Sequence, residues 1–187
     1  MMENMTQLIQ CFHFAAKAHS TQTRKGSNNE PYVNHLIEVA MLISTVASIV
    51  DLSTLQAAIL HDVLEDTDTT EVELKKHFGS EVTEMVISLT DDKSLAIDGR
   101  RRCQIEHAAK FSDALKIIKL ADHCSNIASI PEKWNVARIK EYLEWSFKVA
   151  DACSGISSTL DAEYKKRYLI AIDTCESLER RVAQRDE

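Results

Sequence analysis

Glycine and proline are scarce, with 4 Gly and 2 Pro in 187 residues. That is too few to turn the many short strands of a sandwich or barrel, so long helices joined by brief loops are expected. Cysteine offers no framework either. The five residues Cys11, Cys103, Cys124, Cys153 and Cys175 are odd in number, widely spaced and without a CxxC pair, which argues against both a disulfide scaffold and a zinc ribbon. They read as small core hydrophobes of a reducing compartment. Positive charge is in deficit, 22 Lys and Arg against 29 Asp and Glu, for a net charge of −7. A protein that neutralises nucleic-acid phosphates would carry the opposite surplus, so no nucleic-acid partner is expected. An acidic chain can still hold a small polyphosphate where cations gather locally or a metal supplies charge. No run approaches the ~20 apolar residues of a membrane helix, and no basic segment leads into an apolar core at the N-terminus. The expectation is therefore a cytoplasmic protein with no membrane partner.

What is present is helical periodicity. Apolar residues repeat at helical spacing over 5–19 through Leu8, Ile9, Phe12, Ala15 and Ala16, and again over 34–50 through Ile37, Val39, Ala40, Leu42 and Ile43. The segment 54–65 is apolar on nearly every side, as a buried helix is. A short helix capped by 68–70 ends near His77 with Gly79 as its stop, and others are predicted over 81–89, 100–109, 112–130, 136–152 and 157–181. Two polar stretches, 20–30 and 90–99, are long for connections in a compact helical domain and so are candidates for function. With no internal repeat and no linker, the chain reads as one all-α domain over 1–187, a bundle of about eight to ten helices. Its last segment either packs against the rest or forms the surface of a homo-oligomer.

The chemistry concentrates in His61-Asp62-Val63-Leu64-Glu65-Asp66. Consecutive residues of a helix lie about 100° apart, and the three- and four-residue offsets put all four polar groups on one side of it. Three carboxylates and an imidazole at the tip of an apolar helix are costly unless a cation or hydrogen bonds compensate. The string is not the zinc-protease HExxH, since no second His follows four residues after His61. Candidates for further ligands are His35, just after Pro31-Tyr32, and Asp122, in an apolar helix. Two His and two Asp make a mixed nitrogen and oxygen set suited to Mn²⁺, Fe²⁺, Co²⁺ or Zn²⁺, with positions left for water.

The order His35, His61-Asp62, Asp122 resembles the HD superfamily of metal-dependent phosphohydrolases. The surrounding wording is narrower: Ala15-Ala16-Lys17-Ala18-His19, Arg24-Lys25, Pro31-Tyr32-Val33-Asn34-His35, Ala57 to Thr67, His77-Phe78-Gly79, Leu89 to Lys93 and Lys119 to Asn126 follow the hydrolase domain of RelA/SpoT proteins in sequence. The likeness spans about 12–152, with no synthetase segment expected beside it, as in the stand-alone small alarmone hydrolases similar to the metazoan SpoT homologue.

The resemblance implies a helical HD domain that removes the ribose 3′-pyrophosphate of (p)ppGpp. It implies His35, His61, Asp62 and Asp122 as metal ligands, usually for Mn²⁺, and Glu65 and Asp66 as the pair that positions or deprotonates water. Arg24, Lys25 and Asn126 match nucleotide and phosphate contacts, and Arg138 and Tyr142 look like residues reaching the 5′-phosphate side. The chain departs from the family at Glu30, at His123-Cys124 in place of the usual Lys-Leu, at Ser125 in place of Tyr, and over 94–99, which lacks a basic residue that Arg100, Arg101 or Arg102 could replace. Changes at Ser125 and Ile97 leave open the same chemistry on (p)ppApp or on the 2′-phosphate of NADPH; a non-catalytic nucleotide sensor is a further alternative. Trp134 and Trp145 are expected to be packing anchors. His13, His77, His107 and His123 are expected to be structural or exposed, while His19 abuts the Arg24 loop.

Overall fold

The computed structural model describes residues 2–26 and 29–184; Ser27 and Asn28, inside the first predicted loop, fall outside that range. Among the described residues the protein is a bundle of α-helices without a β-strand, and none of its helices is long and apolar enough to cross a membrane. In chain order they are α1 (Met2–Ala18), α2 (Val33–Met41), α3 (Leu52–Leu60), α4 (Val63–Asp66), α5 (Glu71–Leu89), α6 (Ile97–Ala108), α7 (Asp113–Ile127), α8 (Val136–Cys153) and α9 (Ser158–Ala183).

Local chemistry sets several of these boundaries. Asp51 caps α3 by accepting from the Thr54 backbone N–H at 2.9 Å. Thr70 does the same for α5 and Asn135 for α8. Each satisfies an amide that the helix itself leaves without a partner. Gly79 has φ 81°, a left-handed conformation that breaks α5 internally; the expected stop at this glycine is a kink between two helical pieces. Helix α2 passes into a π-helical turn over Leu42–Val46 rather than running to Val50. That turn is fastened to α9, where the Thr159 hydroxyl donates to the Val46 carbonyl at 2.6 Å.

Helix α3 is the centre of the bundle. Thr54 to Leu60 are all buried, and α3 packs against α1, α2, α5 and α7. Burying each Leu or Ile here contributes about 1.5–3 kcal/mol. Helix α7 is nearly as central, lying against α2, α8 and α9 with Ile117, Ile118, Leu120, Ala121, Cys124 and Ile127 buried. Cys11, Cys153 and Cys175 are buried among other apolar side chains too, and Cys103 is half-buried. Three of the four candidate ligands are thus set by the two helices that the core holds most firmly, His61 and Asp62 at the end of α3 and Asp122 within α7, while His35 stands on α2.

One element departs from the periodic reading. Residues 54–65 do not form one continuous helix, because Asp62 takes φ −101° and ψ −2° and separates α3 from α4. Helix α6 begins at Ile97, three residues before the expected Arg100.

Candidate metal centre and cavity

The structure brings His35, His61, Asp62 and Asp122 to one point from α2, the α3–α4 break and α7. The imidazole Nε2 atoms of His35 and His61 are 3.3 Å apart. Asp122 Oδ1 is 3.2 Å from the first and 3.6 Å from the second, while Asp62 Oδ2 is 3.7 Å and 3.0 Å away. For bonds of about 2.1 Å to a metal, neighbouring ligand atoms lie about 3.0–3.4 Å apart, so these separations are close to the edges of a coordination shell.

Proton counting shows that the cluster fits a cation. His61 Nδ1 is 2.8 Å from the Ala58 carbonyl, which can only accept, so Nδ1 carries the proton and Nε2 is bare. His35 Nδ1 is 2.8 Å from Ser125 Oγ. That hydroxyl donates its one proton to Glu38 Oε2 at 2.6 Å, so His35 Nδ1 must donate and its Nε2 is bare as well. Two lone pairs and two carboxylate oxygens then face one another in a buried place. Such an arrangement is repulsive until a positive charge joins it. Without an ion, a proton on His61 Nε2 supplies that charge. Burial alone would depress His61, but the charges and hydrogen bonds of Asp62 and Asp122 hold it well above the ordinary histidine value.

Further bonds fix the carboxylates. The Tyr32 hydroxyl donates to Asp62 Oδ2 at 2.5 Å. Asn126 Nδ2 donates to Asp122 Oδ1 at 2.6 Å, and Lys119 Nζ lies 3.4 Å from Asp122 Oδ2. Burial acts to raise the Asp122 carboxyl, yet Lys119 first, then the two histidines, hold it well below the usual carboxylate range.

The cluster opens into a cavity of about 580 Å³. Glu65 and Asp66 stand on one wall and are unequal. Asp66 is paired with Lys93 Nζ at 2.6 Å. Among the described residues Glu65 accepts only from the Asp91 backbone N–H at 3.2 Å, and burial followed by the negative charge of Asp62 pushes it up to about 7. A carboxylate at that value is ionised in good part at neutral pH and still basic enough to take a proton.

The remaining expected contacts fare differently. Lys25, Asn126 and Tyr142 line the cavity. Arg24 does too, but it is buried and largely engaged within the protein, donating to Ser125 Oγ at 2.8 Å, the Ser125 carbonyl at 3.1 Å and Asn126 Oδ1 at 3.3 Å. Arg138 is not in the wall; its guanidinium stands 4.2 Å from the ring centroid of Trp134, which is. Arg100, Arg101 and Arg102 do not line the cavity among the described residues, although Arg101 lies 5.4 Å over the Trp145 ring.

Several wall residues were not foreseen. Trp134 and Trp145, expected as packing anchors, border the cavity with Tyr142 between them in an aromatic row. His123 borders it as well, buried, with burial pushing it down to about 4. Gln22 and Gln104 had no signal beyond ordinary polarity. Tyr32 and Lys119 stood inside the quoted motifs, so proximity to a candidate ligand was the clue that could have marked them. His19, left open above, is buried, stacks on Tyr32 with ring centroids 5.0 Å apart and bonds Gln22 at 2.7 Å.

Known proteins point the same way. The HD-domain family profile matches residues 11–144. The chain is 40% identical over 169 residues to human guanosine-3′,5′-bis(diphosphate) 3′-pyrophosphohydrolase MESH1, covering 88% of this chain and 94% of that one. It is 42% identical over 159 residues to the Drosophila melanogaster protein of the same name, covering 83% and 89%. A solved structure of a metazoan SpoT orthologue described as hydrolysing ppGpp superposes with a TM-score of 0.82 at 40% identity, over 87% of this chain and 93% of that one.

Proposed function

The chain belongs to the HD-domain family, and from that premise we propose that it is a metal-dependent phosphohydrolase that releases pyrophosphate from the ribose 3′ position of (p)ppGpp. The relatives at about 40% identity carry this activity in their names. The observation that carries the reading is the convergence of two imidazole nitrogens and two carboxylate oxygens, 3.0–3.7 Å apart across the histidine–carboxylate pairings, beside a cavity that also holds Glu65 and Lys25.

In this reading His35, His61, Asp62 and Asp122 hold a divalent ion, Mn²⁺ by the resemblance to the family. When bound, such an ion lowers the pKa of a water and draws charge from a phosphoryl oxygen. The protein's own groups do the rest. Glu65 takes the proton of the attacking water, its raised basicity suited to that step. Asp66, neutralised by Lys93, fixes the turn on which Glu65 stands. Lys25 supplies a point charge to the phosphates, and Arg24, locked to Ser125 and Asn126, stiffens the loop that carries Lys25. Tyr142 and Trp134 form the wall that would face the 5′ phosphates, with Arg138 behind it, 4.2 Å over the Trp134 ring.

The adenine and NADPH readings rested on Ser125 and Ile97. Ser125 is fully buried and Ile97 points to solvent, and neither borders the cavity, so nothing in the wall favours those readings over the guanosine nucleotide of the relatives' names. The test is to incubate the protein with Mn²⁺ and ppGpp, ppApp or NADPH and follow released pyrophosphate or phosphate. Pyrophosphate from ppGpp at the highest kcat/KM is expected. No release at full metal occupancy refutes the reading, and equal rates for guanine and adenine refute the base preference.

A further inference from the structure

Residue 123 follows a candidate ligand in the chain yet faces another wall. Neighbouring helical positions lie about 100° apart. While Asp122 turns toward the two histidines, the His123 ring turns toward α8, 5.0 Å from the Trp145 ring. Its Nδ1 is 2.8 Å from Ser146 Oγ, and Ser146 Oγ is 3.0 Å from the Tyr164 hydroxyl on α9. All three residues are buried, and among the described residues no other side-chain bond reaches them.

The direction of this relay follows from its protons. Tyr164 has one hydroxyl proton and, among the described residues, one acceptor in reach, Ser146 Oγ. A buried hydroxyl that donates to nothing is costly. Tyr164 therefore donates to Ser146, Ser146 gives its own proton to His123 Nδ1, and Nδ1 is the acceptor. An imidazole with a bare Nδ1 carries its proton on Nε2. With the Nδ1 edge committed to α8, the Nε2–H is what His123 offers to the cavity it borders.

We propose that His123 contacts the substrate, its Nε2–H donating a hydrogen bond to a phosphoryl oxygen of the nucleotide, with Ser146 and Tyr164 as positioning residues that hold the ring in the donating tautomer. This rests on the phosphohydrolase reading above. Such a donor adds a fixed direction to the point charge of Lys25. Arg24, the expected fork, spends both terminal nitrogens on Ser125 and Asn126, and Lys119 is drawn to Asp122. A donor fixed in direction by buried partners requires no reorganisation when an anionic oxygen arrives.

Two amide substitutions separate the ring's edges. In His123→Gln the side-chain amide reaches the place of Nε2; in His123→Asn it reaches only the place of Nδ1. With Mn²⁺ and ppGpp, Gln is expected to keep kcat/KM within about threefold of wild type and Asn to lose about 10- to 100-fold, the value of a hydrogen bond to a charged oxygen. A residue that merely packs against Ser146 gives the opposite order, and that order, or equal rates, overturns the proposal. Side-chain ¹⁵N shifts of the metal-free wild-type protein give a readout independent of turnover. A protonated Nε2 with a bare Nδ1 at His123, mobilised toward the mixed tautomer by Ser146→Ala, is expected; a protonated Nδ1 overturns the proposal even if both amide variants fail to fold. Wild type that releases no pyrophosphate refutes the phosphohydrolase reading itself, whereas active wild type with Asn at or above Gln refutes only the role of His123.

Discussion

Replacing Glu65 with glutamine should make the metal-free protein more stable at pH 8 while removing its activity. Glu65 is half-buried beside Asp62, Asp66 and Asp91, and burial first, then the charge of Asp62, holds it at about 7 instead of the usual 4.5. The sign follows from linkage. Between pH 4.5 and 7 the folded protein keeps a proton that the unfolded chain has released, so stability falls as pH rises through that window and levels off above it. The gap sets a ceiling of about 3 kcal/mol at 1.36 kcal/mol per pH unit. The carboxyl is half-buried, and solvent screening brings the expected gain to about 1–2 kcal/mol. Glutamine keeps an oxygen for the Asp91 N–H and is neutral in both states. For a domain of this size that corresponds to a rise of about 2–8 °C in Tm. Thermal unfolding of both proteins in chelator, at pH 8 and again at pH 4.5, isolates the contribution of this one group. The gain should be present at pH 8 and gone at pH 4.5, and the variant should lose about 10²- to 10⁴-fold in kcat with Mn²⁺. An equal Tm difference at both pH values refutes the electrostatic argument. A variant that keeps its rate refutes the role as base.

His61→Ala should lose bound metal and pyrophosphate release together, while Glu65→Gln retains the metal; metal analysis of the purified proteins decides, and the reverse pattern reassigns both residues. Ser125→Ala strips the acceptor from Arg24 and His35 and the donor from Glu38. It should cost about 1–3 kcal/mol in urea unfolding and about 10- to 100-fold in metal affinity, and an unchanged metal affinity would show that His35 is held by other means. In Gly26→Ala the new Cβ would lie 1.7 Å from the Ser129 carbonyl oxygen. The loop carrying Lys25 must then move, and KM for ppGpp should rise about 10- to 100-fold with Tm little changed. A KM that stays at the wild-type value would mean that this loop does not reach the substrate.

The helices were legible because their apolar residues recur at the helical period, and Gly79 marked its own break. The continuity of 54–65 was not. A regular helix points residues i and i+1 about 100° apart, so His61 and Asp62 could flank one atom only from a shared edge. The chain leaves helical geometry at Asp62, and that departure brings Asp62 Oδ2 within 3.0 Å of His61 Nε2. Periodicity cannot forecast its own interruption at a residue whose reward is a contact with His35 and Tyr32, about thirty positions away in the chain. Trp134 and Trp145 pack against the core as expected, and their second place in the cavity wall was hidden for a related reason. Aromatic residues enter cores and cavity walls by the same burial of area, and only the placement of Arg24, Asp122 and Asn126 opposite them makes this surface a wall.

Ser125 carries the same lesson into chemistry. As a departure from the tyrosine usual in the family, it read as an altered base pocket. In the fold it is fully buried and accepts from both Arg24 and His35 while donating to Glu38; Glu38 in turn is held by Arg167 of α9 at 2.7 Å. A hydroxyl has one proton, and because Glu38 takes it, His35 Nδ1 has no choice but to donate. The substitution therefore acts on the tautomer of a candidate metal ligand rather than on the recognition of a base. The long helix whose role the sequence left open, α9, supplies the cation that keeps Glu38 charged and the relay pointing one way.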